Sequence, residues 1–159
     1  MLKKIITAVA AGALTAVVLC LAGCGRNGEQ STLKLYNTET GQVYRTFEVC
    51  EGTEFSVEFI HSVNQSPVKD VFVVKDKKIY ADRTVYSAFG AGFQTELEDG
   101  QRLEYDENGN MVVSGFDIVF LEVKYIVGTV SDHVLCIGEE CISLTALCGK
   151  NAHVAFVLK

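Results

Sequence analysis

The chain has 159 residues, 48% hydrophobic and 21% charged with one Pro and no Trp, a balance that excludes collagen-like, low-complexity and disordered classes. Basic residues number 14 and acidic residues 20, for a formal net charge of −6. Such a surface repels a phosphate backbone, so no nucleic-acid partner is expected.

Residues 1–23 come first in chain order. Lys3 and Lys4 form a short basic start, an uncharged apolar run follows to Ala22, and the run ends in Leu21-Ala22-Gly23-Cys24. This is the layout of a secretory signal, and its last four residues resemble a bacterial lipobox. On that reading Cys24 is the lipidation site, and membrane lipid is the first partner. Two acyl chains hold a protein at a membrane far better than one, since each buried methylene contributes about 0.8 kcal/mol. The alternative is an uncleaved transmembrane anchor, the run being at the short end of the spanning range. Either way, the rest of the chain is expected at the extracytoplasmic face of the cell membrane. Residues 24–32, the lipidated Cys and a polar Gly-containing stretch, read as a linker, and 33–159 as a single β domain.

From Leu33 onward, short runs rich in Val, Ile, Phe and Tyr alternate with Gly, Asn, Asp and Lys turns, without a helical period. Strands are predicted at 33–37, 43–49, 54–61, 68–75, 79–87, 102–106, 111–114, 118–127, 134–137, 141–144 and 153–158. The expected fold class is all-β, a small antiparallel sandwich or barrel of about ten short strands. Asn108-Gly109 is read as a two-residue hairpin turn with Glu107 facing Asn110. The same stretch, Asp106 to Asn110, also offers oxygen ligands for calcium, but its Gly and Glu positions do not match an EF-hand loop.

Functional candidates begin on the third strand. Phe55, Val57, Phe59 and His61 share one face of it. A hairpin loop at residues 64–67 would set His61 opposite Asp70, an imidazole beside a carboxylate. That pair suits a proton acceptor with its orienting acid, half a metal site, or a polar contact that fixes register. Ser62 and Ser87 are the nearest nucleophiles for a hydrolase, yet Ser62 points to the opposite face from His61, and no G-x-S-x-G elbow occurs. Gly90-Ala91-Gly92 permits a tight bend or a small anion-binding nest at Gly90 and Gly92.

Four cysteines remain after the signal and the lipidated residue. A two-residue turn at Gly138-Glu139 would place Cys136 opposite Cys141 for a disulfide, leaving Cys50 for Cys148. Free buried thiols are one competing reading. Another is a metal site of Cys136, Cys141 and Cys148 with His133 or His153, although paired C-x2-C knuckles are missing. No metal or other cofactor is expected.

The order of these features resembles a known family. Phe59-Ile60-His61-Ser62-Val63, Pro67-Val68 with an acid at Asp70, residues 84–92 (TVYSAFGAG), and the C-terminal string from His133 to Gly138 with Leu144, Leu147 and Gly149 are similar to the bacterial family labelled domain of unknown function 1850. The similarity spans residues 33–158. That family usually carries Glu at the position of Asp70, and the cysteines are not part of its pattern. The resemblance implies an extracytoplasmic small β domain whose gene commonly neighbours the permease of a TRAP transporter of the TAXI type, and no enzymatic activity. The function expected is therefore a membrane-tethered accessory protein of such a transporter. Its partner would be the TRAP permease or its solute-binding protein, contacted through His61, Ser62, Asp70, Ser87, Gly90 and Gly92. The alternatives are a small-ligand or cation binding β module and a hydrolase.

Overall fold

A computed structural model describes residues 30–63, 65–87 and 97–159. The signal segment, Cys24, Gly90 and Gly92 lie outside the described residues. Twelve strands and one short helix follow in the order β1 (Ser31–Asn37), β2 (Val43–Val49), β3 (Glu54–Ile60), β4 (Pro67–Lys75), β5 (Lys78–Tyr86), β6 (Arg102–Tyr105), β7 (Met111–Ser114), β8 (Val119–Phe120), β9 (Val123–Ile126), β10 (His133–Ile137), β11 (Glu140–Ser143), α1 (Leu144–Cys148) and β12 (His153–Leu158). One sheet runs β2-β1-β12-β9, and the other β11-β10-β3-β4-β5-β7-β6 with β8 added on β5. Neighbouring strands in both sheets pair antiparallel. The two sheets pack face to face as a sandwich; neither closes into a barrel.

Alternation in the sequence decides which side chains meet between the layers. Leu33 and Leu35 of β1, Phe47 and Val49 of β2 and Phe156 of β12 face Phe55 and Val57 of β3, Phe72 of β4 and Leu135 of β10. Phe55 and Phe156 bridge the two sheets with ring centroids 5.6 Å apart. Asn37, at the end of the inward row of β1, is buried, and its amide is satisfied locally. Oδ1 accepts from the backbone N–H groups of Glu39 and Thr40, and Nδ2 donates to the Tyr44 hydroxyl.

Three sequence expectations are corrected by the backbone. β1 starts at Ser31, inside the stretch read as linker, because Thr32 and Lys159 exchange backbone hydrogen bonds of 2.9 Å in both directions. The single strand expected over 118–127 is two strands. Phe120 pairs with Ile79 in one sheet while Val123 pairs with Phe156 in the other, so the chain crosses between layers at Leu121-Glu122. The hairpin at Asn108-Gly109 has a longer loop than expected: Asp106, not Glu107, faces Asn110, and Gly109 takes a φ of 78°. The Asp106 carboxylate closes that loop by accepting from the backbone of Asn108 and Asn110 and from the Asn110 side chain. Those bonds, led by the Asn110 side chain, hold its pKa below the usual carboxylate value. The helix α1 was not visible as a period because it is one turn long, capped by the Ser143 hydroxyl accepting from the Ala146 N–H.

Cys136 pairs with Cys141 across the turn at Gly138-Glu139, and their sulfurs are joined. Cys148, by contrast, carries a free thiol. The expected bridge between Cys50 and Cys148 is therefore not formed. Burial pushes the Cys148 thiol up to about 11, so it stays protonated and unreactive at neutral pH. Replacing Cys136 and Cys141 together by Ser is expected to cost about 2 kcal/mol, the entropy of a short closed loop. Urea unfolding checks this, and a double variant as stable as the parent would mean that the turn alone holds the hairpin.

Candidate functional site

The β3–β4 register places the predicted site residues differently from the sequence expectation. Val57 faces Asp70 and Ile60 faces Pro67, while the His61 N–H donates to the Ser66 carbonyl. The hairpin loop is thus residues 62–65 rather than 64–67. His61 lies opposite Ser66, four residues from Asp70 along the strand, roughly 13 Å at the rise of an extended chain. The expected His61–Asp70 pair is not made, and the hydrolase constellation built on it is not assembled.

Asp70 instead points between the sheets. It shares the inward face of β4 with Val68 and Phe72, and its carboxylate accepts at Oδ1 from the Thr84 hydroxyl of β5 (2.9 Å) and at Oδ2 from the Tyr125 hydroxyl of β9 (2.8 Å). Tyr125 reaches it from the opposite sheet, where it shares the inward face with the buried Val123 and Val127. Burial, then the Asp70 charge, raises the Tyr125 pKa strongly, and the same two causes in the same order raise that of Tyr86. Tyr125 therefore remains protonated and donating.

Above this network lies a cleft of about 470 Å³ at one end of the sandwich, between the β3–β4 loop and the β9–β10 loop. Phe59 and Ile60 lie on one side of it with His61, Ser62 and Gln65, and residues 128–131 with His133 complete its lining. The Phe59 ring stacks on His133 (5.1 Å), and both meet the edge or face of Tyr125 at 6.2 and 5.9 Å. Phe59, His133 and Tyr125 thus form a packed set of rings that runs from the cleft lining to the Asp70 carboxylate.

The two histidines are held alike. The Gly128 N–H donates to His133 Nδ1 (3.1 Å), and the Val63 N–H donates to His61 Nδ1 (3.3 Å). With Nδ1 accepting, the neutral ring carries its proton on Nε2. Burial lowers the His133 pKa against the opposing charges of Asp132 and Asp70, which keeps the neutral form at physiological pH. Asp132 next to it is ionised: burial works against the charge, but bonds from Ser143, Thr145 and the backbone hold its pKa below the usual value.

Ser62 is exposed, and its carbonyl accepts from the Gln65 side chain (2.6 Å). Ser87 stands at the end of β5, its hydroxyl and N–H both donating to the Pro67 carbonyl at 3.2 Å, and it is not in the cleft. The structure therefore brings His61 and Ser62 together, separates Asp70 and Ser87 from them, and adds His133, Tyr125, Thr84 and Gly128. Of these, His133 stands out in the sequence as a metal candidate and in the C-terminal string, and Thr84 as the first residue of the 84–92 string, whereas Tyr125 and Gly128 carry no such signal. Among the described residues no group of three or more His, Cys, Asp or Glu side chains is placed to hold a metal ion. The alternative cysteine metal site is excluded for Cys136 and Cys141 by their disulfide.

No curated protein and no solved structure matches the chain. Residues 55–144 match a family model described as Domain of unknown function (DUF1850), a span that runs from the second residue of β3 through β11 and includes every cleft residue and the Asp70 network. The chain accordingly belongs to the DUF1850 family.

Proposed function

We propose that the chain is a lipid-tethered, extracytoplasmic accessory protein of a TRAP-type solute transporter of the TAXI class, that it acts by binding rather than catalysis, and that its contact end is the cleft between residues 61–66 and 128–133. The observation that carries this reading is the family match, whose span holds the whole cleft end of the sandwich. The lipobox-like Leu21-Ala22-Gly23-Cys24 supports attachment through Cys24. The Cys136–Cys141 disulfide supports an oxidising compartment outside the cytoplasm. A binding role is favoured over a hydrolytic one because both imidazoles use Nδ1 to accept backbone N–H groups, and the carboxylate that would orient His61 is committed to Thr84 and Tyr125.

Affinity purification of the full-length protein from crosslinked membranes, followed by mass spectrometry, tests the reading. Recovery of a TRAP permease or its solute-binding protein is expected, together with a diacylglyceryl modification on the peptide that begins at Cys24. Recovery of the protein alone after crosslinking would overturn the transporter role.

A further inference from the structure

We propose that the cleft is a binding site for a small carboxylate-bearing ligand, whose oxygens accept hydrogen bonds from the Nε2–H groups of His61 and His133. The two rings come from different loops, line one cavity, and each has Nδ1 occupied by a backbone N–H. Among the described residues neither Nε2 has a protein partner. In its neutral form each ring thus presents a donor to the cavity, held in that tautomer by the backbone N–H at Nδ1. A metal ion needs the opposite arrangement, a lone pair on Nε2 with Nδ1–H donating to a carbonyl or carboxylate, and Gly128 and Val63 offer donors where that acceptor would have to be.

The chain as a whole is acidic, yet none of the residues lining the cleft is an Asp or a Glu. Ser62, Gln65, Thr129 and Ser131 add polar groups to the lining, and Phe59, Ile60 and Val130 supply apolar surface for the body of the ligand. A volume of about 470 Å³ lies within the range of small-molecule sites. A small acid with an apolar tail can accept from the two Nε2–H donors and rest its body on this apolar surface.

The test uses the folded protein with labelled imidazole nitrogens and three probes: propionate, its neutral isostere propionamide, and zinc ion. Expected are Nε2–H tautomers for His61 and His133, saturable shifts of both Nε2 signals with propionate, and binding of propionamide at least tenfold weaker. His61→Leu, in an exposed loop that leaves the core untouched, is expected to weaken propionate binding at least tenfold with no change in melting temperature. The proposal is overturned if propionate leaves both Nε2 signals unmoved, if propionamide binds as well, or if zinc binds with both Nε2 atoms deprotonated. The transporter role can fail while this result stands, because the purification reads a protein partner and the titration reads an acid.

Discussion

Tyr125→Phe is expected to destabilise the fold by about 3 kcal/mol, the upper part of the range for a hydrogen bond to a charged group. The change removes one oxygen and keeps the ring, so its contacts with Phe59, His133 and Phe156 are retained. What is lost is the 2.8 Å bond to Asp70 Oδ2. The carboxylate is then left between two sheets with Thr84 as its remaining side-chain partner, in a layer otherwise filled by Val57, Val68 and Phe72. An ionised group in such surroundings is costly unless each acceptor is met. Guanidinium unfolding measures the loss, and adding Asp70→Leu to the same variant should recover much of it, because removing both partners leaves no orphaned polar atom. A cost below 1 kcal/mol for Tyr125→Phe would mean that water already serves Oδ2, and that the bond does not tie the two sheets together.

The contrast between Asp70 and the cysteines marks how far the sequence could be read. Cys136 and Cys141 flank a two-residue turn, and a turn that short leaves one register, so their pairing followed from spacing alone. Residues 61–67 contain no such signal, and a loop placed two residues late moves every partner across the hairpin while leaving each side chain on its own face. That is why Asp70 keeps the inward face expected of it while the neighbour expected for it, His61, lies opposite Ser66. The strand positions and the all-β class were legible because alternation is local. The Tyr125–Asp70 bond joins residues 55 positions apart in opposite sheets, and no local pattern encodes it. Nor did the pattern mark the switch of sheets at Leu121-Glu122, since both flanking strands are apolar and the run looks continuous.

Gly128 is the position where fold and cleft depend on the same atoms, and Gly128→Ala is expected to cost about 3 kcal/mol, the upper end for an overpacked site. A Cβ there would sit 2.2 Å from the Ser131 carbonyl oxygen and 3.3 Å from the His133 ring. The obstacle is backbone, so no side chain can rotate away from it. The loop also has little freedom to relax. Val127 before it is buried and bonded to Ala152 and Asn151, and Asp132 after it accepts from the Thr145 N–H at 2.9 Å. Relief of the clash must therefore move Gly128 away from His133 and break the bond to Nδ1 that fixes the tautomer. Val130→Ser in the same loop, at a side chain 96% exposed, should stay within about 0.5 kcal/mol of the parent and serves as the control. Unfolding curves together with the His133 ring-nitrogen spectrum decide the matter. Lost stability with a mixed tautomer at His133 is the expected pair of results, and a Gly128→Ala protein with parental stability and an unchanged ring would show that the loop shifts freely and does not set the donor in the cleft.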